Sequence, residues 1–89
     1  MSDFTHIQEP YGDRWLNSDG LHFVSYYEAI DGVRAAYWQA YRAAQKPARG
    51  RMPWTVDNRR IGRDGYGYST LDAAMQACVA GVILKARRA

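Results

Sequence analysis

The sequence predicts a small α+β domain, an antiparallel β-meander of three to four strands packed by one C-terminal α-helix. Three observations predict it. Leu71, Ala74, Met75, Cys78, Val79, Val82, Ile83 and Ala86 form an apolar stripe at helical spacing near the C-terminus. Aromatic and β-branched residues crowd the stretch from Leu21 to Ala44 on either side of Asp31-Gly32. With 89 residues, 47% of them apolar and 13% aromatic, the chain has the length of one domain and the composition to fill one core.

The elements follow in chain order. Residues 1–13 are polar, contain Pro10 and Gly12, lack periodicity and read as a flexible N-terminal arm, leaving 14–89 as the domain. A short strand around Arg14-Trp15-Leu16 leads into Asn17-Ser18-Asp19-Gly20, four turn-forming residues. Leu21–Ala44 supports two readings. As a hairpin, Leu21–Ile30 and Val33–Ala43 flank Asp31-Gly32, the pair preferred in a two-residue type I′ turn. As a helix, Ser25 and Glu28 would form a capping box ahead of a stripe through Ile30, Val33, Tyr37, Ala40, Tyr41 and Ala44. The hairpin is favoured, because the helix would carry Gly32 in its interior at about 1 kcal/mol. Lys46–Pro53 is a loop, Trp54-Thr55-Val56 restarts a strand that runs towards Ile61, and the glycines from Gly62 to Gly67 break it. Ser69 reads as the N-cap of the last helix, with Asp72 in its first turn and Lys85, Arg87 and Arg88 in its last.

A two-residue loop assigns the faces of the hairpin. Residue 26 then faces 37, 24 faces 39 and 22 faces 41. Phe23, Ser25, Tyr27, Ala36, Trp38 and Ala40 form the face expected to receive the helix, since alanines opposite large rings leave it room. The other face carries Tyr26, Tyr37 and Tyr41 beside His22 and Gln39, and these five are the candidate partner-binding residues. Cross-strand tyrosine pairs also stabilise ordinary sheets, so the cluster by itself does not demand a partner.

The net charge of +3 is unevenly placed. Residues 1–44 hold three arginines against six carboxylates, a balance of −3, whereas 45–89 hold nine cations against three carboxylates, a balance of +6. A polarised surface with a preferred docking side is expected. Arg49, Arg51, Arg59, Arg60 and Arg63, interleaved with Trp54, Tyr66 and Tyr68, are the candidate nucleic-acid-binding set, because arginines hold phosphates and rings stack on bases. They equally suit an acidic protein surface.

Catalytic chemistry finds little support. His6 and His22 are the only histidines and Cys78, on the apolar stripe, is the only thiol, so no disulfide and no thiolate zinc cluster is expected. Gly62-x-x-Gly65-x-Gly67 departs from both phosphate-binding glycine motifs and reads as a turn. The expectation is a protein that is not an enzyme and takes no metal or cofactor. Its polar N-terminus lacks the apolar core of a signal peptide, and no stretch approaches the length of a membrane span, so a soluble cytoplasmic protein is expected.

Ala36-Tyr-Trp-Gln-Ala-Tyr-Arg, Pro53-Trp-Thr-Val and Gly67-Tyr-Ser-Thr-Leu-Asp-Ala-Ala-Met-Gln-Ala-Cys resemble stretches of small accessory proteins of bacteriophages and mobile elements. The resemblance is one of type, a short meander followed by an alanine-rich helix, and carries no diagnostic motif. It implies a phage-type inhibitor, anti-CRISPR-like, that occludes a host protein or ribonucleoprotein complex in the host cytoplasm. The alternative is a small nucleic-acid-binding module using the arginines of the 49–63 loop.

Overall fold

The computed structural model describes residues 4–61 and 67–88, the helix beyond residue 80 as backbone only. Five strands, β1 (Phe4–Glu9), β2 (Gly12–Asn17), β3 (His22–Tyr27), β4 (Tyr37–Ala43) and β5 (Asn58–Ile61), precede one helix, α1 (Leu71–Arg88). Every strand pairs antiparallel with its neighbour in sequence, in the order β1-β2-β3-β4-β5. The architecture is the predicted meander with one C-terminal helix.

The fifth strand comes from residues expected as an arm. Residues 4–9 pair with β2 from Phe4 opposite Asn17 to Glu9 opposite Gly12. Thr5, Ile7 and Trp15 are β-forming residues, and the Pro10-Tyr11 turn that isolates them gives the segment the look of a loop. Trp54 does not begin a strand. Pro53–Thr55 is a single 3-10 turn, closed by Thr55 donating its backbone N–H to Met52 O at 3.0 Å, and β5 starts only at Asn58. The cap of α1 is Thr70, whose Oγ1 accepts from Ala73 N–H at 3.2 Å, one residue later than the Ser69 expected.

Leu21–Ala44 is a hairpin, with a loop one residue longer than Asp31-Gly32 suggests. Ile30 pairs with Arg34, so Asp31, Gly32 and Val33 make the turn. Val33 N–H reaches Ile30 O at 2.9 Å, and Gly32 takes a φ of +72°, the left-handed backbone that glycine adopts without strain. The same offset runs through the strands, where Tyr26 faces Trp38, Ser25 faces Gln39 and Phe23 faces Tyr41. Because strand side chains alternate, one added turn residue moves every β4 side chain to the opposite sheet face relative to β3.

The core follows from that register. α1 packs on the face bearing Val24, Ala40 and Trp38, where Val24, Ala40, Ala74 and Cys78 are fully buried, with Trp15, Ile61, Leu71 and Met75 packed around them. Phe23, Ser25 and Tyr27, expected under the helix, stand on the other face, and Val24 with Tyr26 replaces them. The 3-10 turn covers one end of that second face, Trp54 meeting Phe23 edge-on at 5.4 Å.

Candidate functional site, an arginine-capped aromatic ladder

The face opposite α1 carries a continuous chain of rings. Tyr27 and Tyr37, cross-strand partners in β3 and β4, stack at 4.9 Å between centroids and 15° between planes. Phe23 and Tyr41, also partners, stack at 5.1 Å and 16°. Ser25 and Gln39 occupy the row between the two stacks. The Tyr27 and Tyr41 hydroxyls bridge that row at 2.6 Å. Each end then meets a guanidinium. The Arg34 guanidinium lies 5.2 Å from the Tyr37 centroid. The Arg14 guanidinium lies 4.9 Å from the Trp54 ring, which abuts Phe23. Arg60, opposite Tyr41 in β5, flanks the ladder.

Stacked cross-strand rings and cation–π contacts are each worth about 0.5–1.5 kcal/mol, so the ladder stiffens the sheet even without a partner. Burial first, and then the hydrogen bond and charge of Tyr27, raise the Tyr41 phenol well above its ordinary 10.0, while Arg60 offsets this only in part. Tyr41 therefore stays neutral over the physiological range. Gly67 makes the close approach beside the ladder possible. A Cβ there would lie 2.6 Å from Tyr37 Cδ2 and 2.7 Å from Trp38 O, and its φ of +68° disfavours any side chain. Tyr68 and Trp38 exchange backbone hydrogen bonds of 2.6 and 2.8 Å, fixing this crossing.

The structure separates the five candidate partner-binding residues. Tyr37 and Tyr41 are on the ladder. Tyr26 is on the helix side, tilted against Trp38 at 5.1 Å, because the register differs by one from that of a two-residue loop. His22 is 3% exposed, and its Nδ1 lies 2.5 Å from Asp19 Oδ2. Gln39 is 2% exposed and donates Nε2 to Ala40 O at 3.2 Å, the role of a buried amide that satisfies backbone. In their place stand Tyr27, Trp54, Arg14 and Arg34, while Phe23, only 2% exposed, is the ladder's buried member. Trp54 is visible in sequence as an aromatic among arginines, and Tyr27 as half of a Tyr-Tyr pair. Arg14 and Arg34 give no signal, since their ring contacts cross the sheet or depend on the turn.

The arginine set is also divided. Arg49 and Arg51 are exposed and line a groove with Lys46. Arg59 and Arg60 are adjacent on β5 and so point to opposite faces, opposite Arg42 and Tyr41 respectively. Arg63, Tyr66 and all but the last glycine of the 62–67 motif lie outside the described residues. Cys78 is fully buried, and burial first, then the charge of Asp19, pushes its thiol up to about 12. Among the described residues no helix is long and apolar enough to cross a membrane.

No protein-family model matches the chain, and no curated protein or solved structure matches it either.

Proposed function

We propose that this chain is a non-enzymatic binding protein that docks the ladder face onto an acidic protein surface and acts as an inhibitor by occluding it, in the manner of the anti-CRISPR-like phage proteins its sequence resembles. The observation that carries this reading is the mutual stacking of the rings. Tyr27 lies on Tyr37 and Phe23 on Tyr41, with Arg14 and Arg34 over the terminal rings. A platform for nucleobases needs ring faces left free for stacking. Here each stacked ring gives one face to its cross-strand partner and Tyr37 also meets the Arg34 guanidinium, so what the ladder chiefly offers is ring edges, phenol oxygens and a cationic rim. Those are the features of tyrosine- and arginine-rich protein interfaces, where the charged rim selects partners of opposite sign.

The thiol of α1 and the imidazole of β3 fit the same reading. Cys78 is held as the neutral thiol inside the core, and His22 is sealed against Asp19, so both serve the scaffold.

The test compares capture of host protein by wild-type chain, Tyr27→Ala and Arg34→Glu, each before and after nuclease treatment, alongside retardation of naked single-stranded DNA. The expected result is nuclease-resistant capture that both variants lose. Undiminished capture by both variants overturns the reading. So does a loss of DNA retardation confined to the ladder variants, which would make the ladder a nucleic-acid platform.

A further inference from the structure

A second surface, at another place on the molecule, has a different chemistry. The turn after β2 and the loop after β4 meet at one end of the sheet, where they enclose a groove of about 410 Å³. Both walls are built by local hydrogen bonds. Gly20 N–H donates to Asn17 O at 3.0 Å, and Asp19 N–H donates to Asn17 Oδ1 at 3.0 Å. Arg51 N–H closes the other wall on Ala48 O at 2.9 Å.

Lys46, Arg49 and Arg51 line the groove, and among the described residues Asp19 is its only acidic lining residue. The Asp19 carboxylate is already committed. Its Oδ1 accepts from Leu21 N–H at 2.8 Å and His22 N–H at 2.9 Å, while Oδ2 holds His22 Nδ1 at 2.5 Å. Among the described residues the two ion pairs are both between histidine and aspartate, His6 with Asp13 and His22 with Asp19. Among the described residues no carboxylate lies within ion-pair distance of Lys46, Arg49 or Arg51, and all three side chains are exposed.

Three buried donors, Asn17 Nδ2, Arg42 Nε and Trp38 Nε1, have no acceptor among the described residues. Asn17 and Arg42 belong to the strand ends that adjoin the groove, though neither lines it, and Trp38 stands at the opposite end of β4. The groove itself is thus rich in positive charge with its one carboxylate already bonded, the composition of a site that accepts an oxyanion.

We infer that the Lys46/Arg49/Arg51 groove is a phosphate-binding site, separate from the aromatic ladder and taking the phosphate group of a nucleic-acid strand or of a small phosphorylated compound. Arginine guanidiniums match the geometry of phosphate oxygens in pairs, and the lysine adds a mobile point charge. The site goes beyond the proposed docking function and does not rest on it. A chain with both surfaces could hold an acidic protein by the ladder and phosphate by the groove.

Two probes test the site, inorganic pyrophosphate by calorimetry and a labelled oligothymidylate by anisotropy across a salt series. They are applied to the wild-type chain, to the combined Lys46→Gln, Arg49→Gln and Arg51→Gln variant, and to Arg34→Gln on the ladder. The three groove side chains are exposed, so thermal melting should show the combined variant folded as the wild type. The groove variant is expected to lose pyrophosphate binding while Arg34→Gln keeps it. For the oligonucleotide, the slope of log affinity against log salt should fall by about 2 in the groove variant, roughly 0.7 for each phosphate that the removed cations no longer neutralise. Binding of both probes identifies a strand as the source, and binding of pyrophosphate alone identifies a small phosphorylated compound. The inference is overturned if neither probe binds at low salt, if the groove variant binds as the wild type does, or if Arg34→Gln loses binding equally. The last two results leave the protein-docking reading untouched, because it is scored on capture of protein.

Discussion

The hydroxyls of Tyr27 and Tyr41 lie 2.6 Å apart, a diagonal bond that joins two cross-strand stacks into one ladder. Each hydroxyl is half-buried among rings, so deleting one strands the other in a poor position to find water. Tyr27→Phe and Tyr41→Phe should each lower stability by about 1 kcal/mol. The double variant should cost clearly less than the sum of the two. A double-mutant cycle in urea checks this, and strict additivity would show that the hydroxyls do not interact.

The same pair predicts an alkaline signature. The Tyr41 pKa is raised in the folded state, mostly by burial and then by Tyr27. A group with a raised folded pKa favours folding below its unfolded value and loses that contribution as pH climbs. Stability should therefore fall above about pH 10, where an unfolded tyrosine ionises. Ultraviolet titration should find one phenol, that of Tyr41, that resists ionisation well above pH 10. In Tyr27→Phe that phenol should titrate earlier.

Asp19 works in the opposite direction. Burial raises its pKa, but the backbone N–H groups of His22 and Leu21 and the His22 ring outweigh that and hold it below 3.8. A lowered folded pKa gives stability that is present above the unfolded value and is lost as pH falls through the folded one. Urea midpoints should drop on acidification below about pH 4, and Asp19→Asn should flatten that limb. Asp19→Ala, which leaves the buried His22 unpartnered, should cost about 2 kcal/mol at neutral pH. An unchanged acid limb in Asp19→Asn would assign the transition to other carboxylates.

Gly67→Ala should be among the most damaging single substitutions, because its Cβ meets backbone as well as a ring. Trp38 O, 2.7 Å away, belongs to β4 and cannot swing aside. About 2 kcal/mol or more is expected, beyond the ~1 kcal/mol of left-handed strain alone. Gly20→Ala is the matched control, since it shares a positive φ of +73° and has open space around it. Equal losses in the two variants would remove the steric argument.

Cys78 should be inert while the fold is intact. Its thiol is fully buried and stays protonated to about pH 12. Ellman's reagent at pH 8 should report no reactive thiol until denaturant is added, and Cys78→Leu should cost about 1–3 kcal/mol by overpacking Val24 and Ala40. Rapid labelling of the native protein would contradict the packing.

Much of the fold is legible because its signals are periodic. The stripe from Leu71 through Cys78 needs only a 3.6-residue repeat to announce α1, and Asn17–Gly20 needs only turn chemistry. The ladder is half legible for a reason that is a matter of counting. Tyr37 and Tyr41 belong to one strand and stay together on the helix-free face. Whether Tyr26 or Tyr27 joins them depends on the parity of the turn. Asp31-Gly32 suits a two-residue loop well enough to hide the three-residue one, in which Val33 is the extra member. β1 is hidden for a different reason, as its six residues gain order from pairing with β2 and not from any internal pattern.

That turn has a consequence for how such a surface changes over generations. Substitutions alter the ladder one ring at a time, but removing a single codon at Val33 would exchange the two registers of β4 wholesale. Trp38 and Ala40 would then surface beside Phe23 and Tyr27, and Tyr37 and Tyr41 would be driven against α1. The length of one loop thus acts as a binary digit that specifies which chemistry the domain shows the outside world. A descendant seeking a new target has an abrupt route through that digit as well as the gradual one.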